Sequence, residues 1–122
     1  MGMRRVLLML VMGMLLIGCS EGRGALVVDD PAATAADYEY LIPEGTAQRI
    51  RAGEDVEILP AQLTVEVGEV IRIINHDDTG HFVGIFYVGP GETVTQRFAS
   101  TGTFSGTCTI HPSGQITLTV EE

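Results

Sequence analysis

The chain has 122 residues, a formal net charge of −9 at pH 7 and no lysine, so arginine supplies all of its fixed positive charge. Its length suits one small domain. So acidic a chain excludes nucleic acid as a partner, because little is present to neutralise phosphates, and favours a basic protein or a metal cation.

In chain order, the first segment reads as a targeting signal. Arg4 and Arg5 precede an apolar run from Val6 to Ile17 that only Gly13 interrupts. A charged start before about a dozen apolar residues is too short to span a bilayer comfortably. The run ends in Leu16-Ile17-Gly18-Cys19, which resembles the lipobox of bacterial lipoproteins. The resemblance implies that residues 1–18 are a lipoprotein signal peptide, cut before Cys19. It also implies acyl chains of the palmitate type on Cys19 and an outward-facing membrane anchor in the cell envelope. Several chains anchor stably, since each buried methylene adds about 0.8 kcal/mol. The alternatives are an ordinary secretory signal with an incidental cysteine, or a weak membrane helix.

Residues 19–37 read as a flexible tether, rich in Gly, Ala and Asp and lacking sustained periodicity. Leu26-Val27-Val28 is a candidate edge strand within it. With Cys19 acylated, Cys108 has no partner for a disulfide. Outside the cytoplasm a lone thiol calls for metal ligation, intermolecular pairing or burial.

From Tyr38 to Glu122 the pattern is β. Leu63, Val65 and Val67 alternate with Thr64 and Glu66, as in a half-buried strand. Gly68-Glu69 turns the chain into a more continuous apolar strand, Val70 to Ile74. Phe82 to Val88 reads as one strand, closed by the turn Gly89-Pro90-Gly91. Thr93 to Phe98 alternates again, Phe104 leads into Cys108, and Ile116, Leu118 and Val120 alternate in a last strand. No long stretch has helical periodicity. Short strands separated by regular turn signals predict an all-β sandwich of two packed sheets.

Three residues carry the chemistry. Cys108 and His111 lie three apart on a loop between predicted strands, and His81 opens an earlier strand. Two imidazoles and one thiolate suit a trigonal copper site for electron transfer, since thiolate favours Cu(I) and imidazole accepts both oxidation states. Zinc accepts the same donors, and a cysteine nucleophile activated by His111 is chemically conceivable. No Ser-His-Asp order, phosphate-cradling loop or H-E-x-x-H motif points to an enzyme. His76 reads as an exposed loop residue, and Asp77 and Asp78 as turn formers and solvated charge.

From about Pro60 to Glu122 the chain resembles a cupredoxin of the plastocyanin and amicyanin type. The resemblance rests on Asn75 six residues before His81, then Pro90-Gly91-Glu92-Thr93, Phe98, Gly102-Thr103-Phe104, Cys108-x-x-His111 and Pro112. It implies a Greek-key β-sandwich over residues 38–122. It further implies one mononuclear type 1 copper ion on His81, Cys108 and His111, and single-electron transfer to a redox partner protein of the cell envelope. An exposed edge of His111 beside Pro112 would be the electron port.

Two departures stand out. No methionine follows Met14, so the axial methionine of many members is absent. Gly114 stands three residues after His111. The axial place falls to the Gln115 amide oxygen, to the Gly80 carbonyl or to nothing; the alternative for Gln115 is a strand-opening residue that faces solvent. Phe82 stands where the family often has Asn, which removes a usual hydrogen bond beside the first histidine. Two further readings stay open: an envelope copper-binding or delivery protein with the same ligands, and a metal-free cupredoxin-like binding module.

Overall fold

A computed structural model describes residues 33–122. The signal segment 1–18, Cys19, the candidate strand Leu26-Val27-Val28 and most of the tether lie outside those residues. The strands are β1 (Tyr38–Ile42), β2 (Gln62–Glu66), β3 (Val70–Asn75), β4 (His81–Val83), β5 (Phe86–Val88), β6 (Thr93–Arg97), β7 (Gly102–Thr107) and β8 (Gln115–Glu121). One short helix, α1 (Thr46–Arg51), lies between β1 and β2.

The strands form an all-β, Greek-key sandwich. One sheet has the order β1-β3-β6 and the other β2-β8-β7, so successive strands repeatedly cross between layers. β1 runs parallel to β3 and β2 parallel to β8, while β3–β6 and β7–β8 are antiparallel. The separate hairpin β4–β5 is joined to the end of β7 by the bridge Val83↔Cys108.

Period-two alternation builds the core. In β8, Ile116, Leu118 and Val120 are buried, whereas Gln115 is exposed and Thr117 and Thr119 are half-buried. Leu63 and Val65 of β2 extend this buried face within the same sheet, and Ile71 and Ile73 of β3 meet it from the other layer. Each such side chain contributes about 1.5–3 kcal/mol through burial. Val67, expected to continue the β2 stripe, lies beyond the strand and is exposed.

Three differences from the sequence reading bear on the site. Phe82 to Val88 is a hairpin and not one strand, because Gly84 takes φ 59, a left-handed conformation that turns the chain. Gly106 lies so close to the Gly84 backbone that a Cβ there would collide with it, which seats the hairpin against β7. Helix α1 was not expected. Ordered contacts also begin before Tyr38, since Asp37 accepts from the Val70 N–H at 2.8 Å and donates its own N–H to the Val70 carbonyl at 2.9 Å.

Candidate metal centre

His81 opens β4 and is almost fully buried. Its Nε2 lies 2.8 Å from Asp77 Oδ2, and its Nδ1 lies 3.0 Å from Thr109 Oγ1. Asp77 is buried too, contrary to its reading as solvated charge. Its carboxylate also accepts N–H groups from Gly45 at 3.1 Å, Ala47 at 2.9 Å and Asp78 at 3.0 Å. Burial alone pushes this carboxyl up. The His81 hydrogen bond and the N–H groups of Ala47, Asp78 and Gly45 outweigh that and hold it down at about 2. An ionised carboxylate only accepts. In the neutral imidazole, Nε2 therefore carries the hydrogen, and Nδ1 presents its lone pair toward Thr109, the neighbour of Cys108.

Asn75 fixes the loop between β3 and β4. Its Nδ2 donates to the carbonyls of Thr79 at 2.9 Å, Val88 at 3.1 Å and Gly89 at 3.0 Å. Its Oδ1 accepts the Asp77 N–H at 2.9 Å. Fully buried and with each side-chain polar atom partnered, Asn75 sets the path by which Asp77 and His81 enter the site.

Cys108 follows β7 and is fully buried. Burial pushes its thiol up, with the Ile110 N–H pulling the other way. Its own N–H donates to the Gly114 carbonyl at 2.9 Å, which closes the loop around His111. Beside it, the Thr109 N–H donates to the Phe82 carbonyl at 2.9 Å, and the Phe82 N–H donates to Thr109 Oγ1 at 3.1 Å. These bonds tie the residue after His81 to the residue after Cys108. The Phe82 ring itself faces outward.

His111 sits differently. Its Nδ1 accepts the Ser113 N–H at 3.0 Å and lies 2.7 Å from Ser113 Oγ, while Nε2 is 3.6 Å from Glu57 Oε1. Beside it is a cleft of about 240 Å³ lined by Ile50, Asp55, Val56, Thr109 and Pro112. The structure therefore brings the His81 and Cys108 segments together and turns His111 toward Ser113 and Glu57. Among the described residues, no three ligating side chains form a closed cluster. Gln115 is exposed at the start of β8, paired with Thr107 and on the side opposite buried Ile116. His76 and Asp78 are exposed, as expected. Two site residues escaped the sequence reading, Asp77 and Thr109. Their only signals were an acid four residues before His81 and a hydroxyl directly after Cys108.

No protein-family model matches the chain, and no curated protein does. Among solved structures it is similar to amicyanin from Paracoccus versutus, at 18% identity over 81% of this chain and 100% of that one, with a TM-score of 0.49. A reduced Cu(I) form of an amicyanin variant at pH 4 gives 19% identity over 80% of this chain and 100% of that one, with a TM-score of 0.47. A purple cupredoxin from Nitrosopumilus maritimus gives 21% identity over 70% of this chain and 100% of that one, with a TM-score of 0.44.

Proposed function

We propose that the chain is a lipid-anchored electron carrier of the cell envelope that holds one copper ion with His81, Cys108 and His111. One observation carries the reading. The buried Asp77 orients His81 so that Nδ1 faces the residue next to the buried Cys108. Two imidazoles and a soft thiolate are donors that both copper oxidation states accept, so the residues present fit the metal. When bound, copper supplies a one-electron couple.

The chain's own residues do the rest. Asp77 and Asn75 hold the first histidine rigid, which limits reorganisation. Burial keeps water from Cys108, whose thiol would lose its proton on holding the metal. His111 would hold the metal through Nδ1, the atom that accepts from Ser113 here. Gln115, exposed at the start of β8, would be a further donor, with the Gly80 carbonyl as its competitor.

A second reading, copper delivery, is favoured by the setting of His111. One ligand lies at the mouth of an open cleft and has alternative partners ready in Ser113 and Glu57. Reversible one-electron cycling supports the carrier, whereas transfer of the ion to an apo-acceptor supports delivery. The primary test is an absorption and spin-resonance spectrum of the copper-loaded chain. An intense thiolate-to-copper visible band is expected, and Cys108→Ser abolishes it. Absence of that band in the unaltered protein rules the carrier out, and absence of tight copper binding leaves the metal-free binding module.

A further inference from the structure

Among the described residues, large exposed apolar side chains are Leu41, Val67, Phe82, Ile85 and Tyr87, and the last three share the hairpin β4–β5. Phe82 and Tyr87 are cross-strand partners whose ring centroids lie 4.9 Å apart at an interplanar angle of 51°. Both rings are about half exposed, at 50% and 54%. The Tyr87 ring lies so closely on Gly80 that a Cβ there would strike it. The pair therefore covers the chain just before His81.

This face sits beside the proposed metal ligands. Phe82 is bonded to His81 and is hydrogen-bonded through both its N–H and its carbonyl to Thr109, next to Cys108. Its rim is acidic. Asp78 belongs to the loop leading to Gly80, and Glu92 accepts the Gly89 N–H at the far end of β5. Both acids are exposed, and Asn75 ties the two segments together by bonding Thr79, Val88 and Gly89. Arg49 pairs with Glu54, Arg72 with Glu39, and Arg97 with the Gly68 carbonyl. A second copy of a chain with net charge −9 is a poor occupant because like charges oppose the approach. The edge of His111, by contrast, lies at a cleft lined by Ile50, Asp55, Val56 and Pro112 with Glu57 beside it, and none of the large exposed apolar side chains of the described residues lines that cleft.

We propose that the Phe82–Tyr87 face, extended by Ile85, is the docking surface for a redox protein with an apolar or aromatic centre and a basic rim. The identity of the occupant rests on the electron-carrier reading; the location of the face does not.

The probe is tris(phenanthroline)chromium(III), a redox-inert paramagnetic tripositive ion with aromatic faces. Added to the ¹⁵N-labelled, metal-free full chain in nonionic micelles, it is expected to broaden the amides of Phe82, Ile85 and Tyr87. The double variant Phe82→Ser/Tyr87→Ser is expected to lose that broadening. Broadening confined to His111 and Pro112 overturns the proposal. So does a hairpin that becomes accessible only after residues before Ala33 are removed, which would make the N-terminal segment the occupant. Perturbation of the hairpin by micelles alone would assign the face to a lipid surface and likewise overturn it.

In the copper-loaded protein, the cobalt(III) analogue takes one electron from Cu(I). The double variant Ile85→Ser/Tyr87→Ser, which keeps Phe82 beside His81, is expected to slow this about fivefold while leaving the ferricyanide rate within about twofold, the scale of a lost aromatic contact. Equal slowing with both oxidants overturns the proposal. A protein that fails to give the copper spectrum defeats the carrier reading, and the chromium measurement still decides the docking face.

Discussion

His81 and His111 carry the same side chain in opposite settings. His81 begins a strand, with each ring nitrogen engaged by a partner fixed elsewhere, Asp77 on the β3–β4 loop and Thr109 after β7. His111 lies in the β7–β8 loop, and its nearest polar partner is Ser113, two residues on. The first histidine is positioned by long-range contacts that also support the fold. The second is held at Nδ1 by its own loop and has Glu57 beside Nε2. The two settings would suit the metal site proposed above, with one donor held by the fold and the other by its loop.

The comparison is broken most directly at Asp77. Asp77→Ala strips the acceptor from three backbone N–H groups and His81, and is expected to cost about 3 kcal/mol or more in urea denaturation of the metal-free protein. A loss below about 1 kcal/mol would mean that the His81 region is no more rigid than the His111 loop.

Acid titration gives the next largest effect. The folded Asp77 carboxyl, at about 2, lies below its ordinary value of 3.8, so ionised Asp77 stabilises the fold. That stabilisation is complete above about pH 4 and is lost as pH falls toward 2, a swing of at most about 2 kcal/mol. Denaturation midpoints across this range should show it in the unaltered chain and lack it in Asp77→Asn.

The His111 loop should respond more weakly. Ser113→Ala removes a half-exposed local contact and is expected to cost less than about 1 kcal/mol. Because it frees Nδ1 from a competing hydroxyl, copper titration should show equal or tighter binding. Smallest is Gln115→Ala. The exposed residue should change stability by less than about 0.5 kcal/mol, and an unaltered copper spectrum would remove Gln115 from the axial place in favour of the Gly80 carbonyl.

Helix α1 shows why part of this region was illegible in the sequence. It is only six residues long, its N-cap is Gly45, and no side chain of its own caps it. The cap comes from Asp77, which lies 32 residues from Gly45 and 30 from Ala47. The same contact explains the error at Asp77. In Asn75-His76-Asp77-Asp78-Thr79-Gly80 an acid reads as solvated, and only the folded chain brings the donors that make its burial favourable. The hairpin β4–β5 was misread for a related reason. Apolar residues run almost unbroken from Phe82 to Val88, and the left-handed turn at Gly84 is supported by its packing against Gly106 on another strand.

By itself the sequence determined the all-β class, the strands β2, β3, β6 and β8, and the turns after Glu66 and Val88. Those features follow from alternation and from glycine and proline chemistry, which act over a few neighbouring residues. It also set out His81, Cys108 and His111 as the metal donors now proposed, and Cys19 as the proposed anchor. Tertiary structure decided which partner each of those donors meets. The tie between His81 and Cys108 through Thr109 and the buried Asp77 that joins β4 to α1 both depend on groups some thirty residues apart, where local pattern carries no signal.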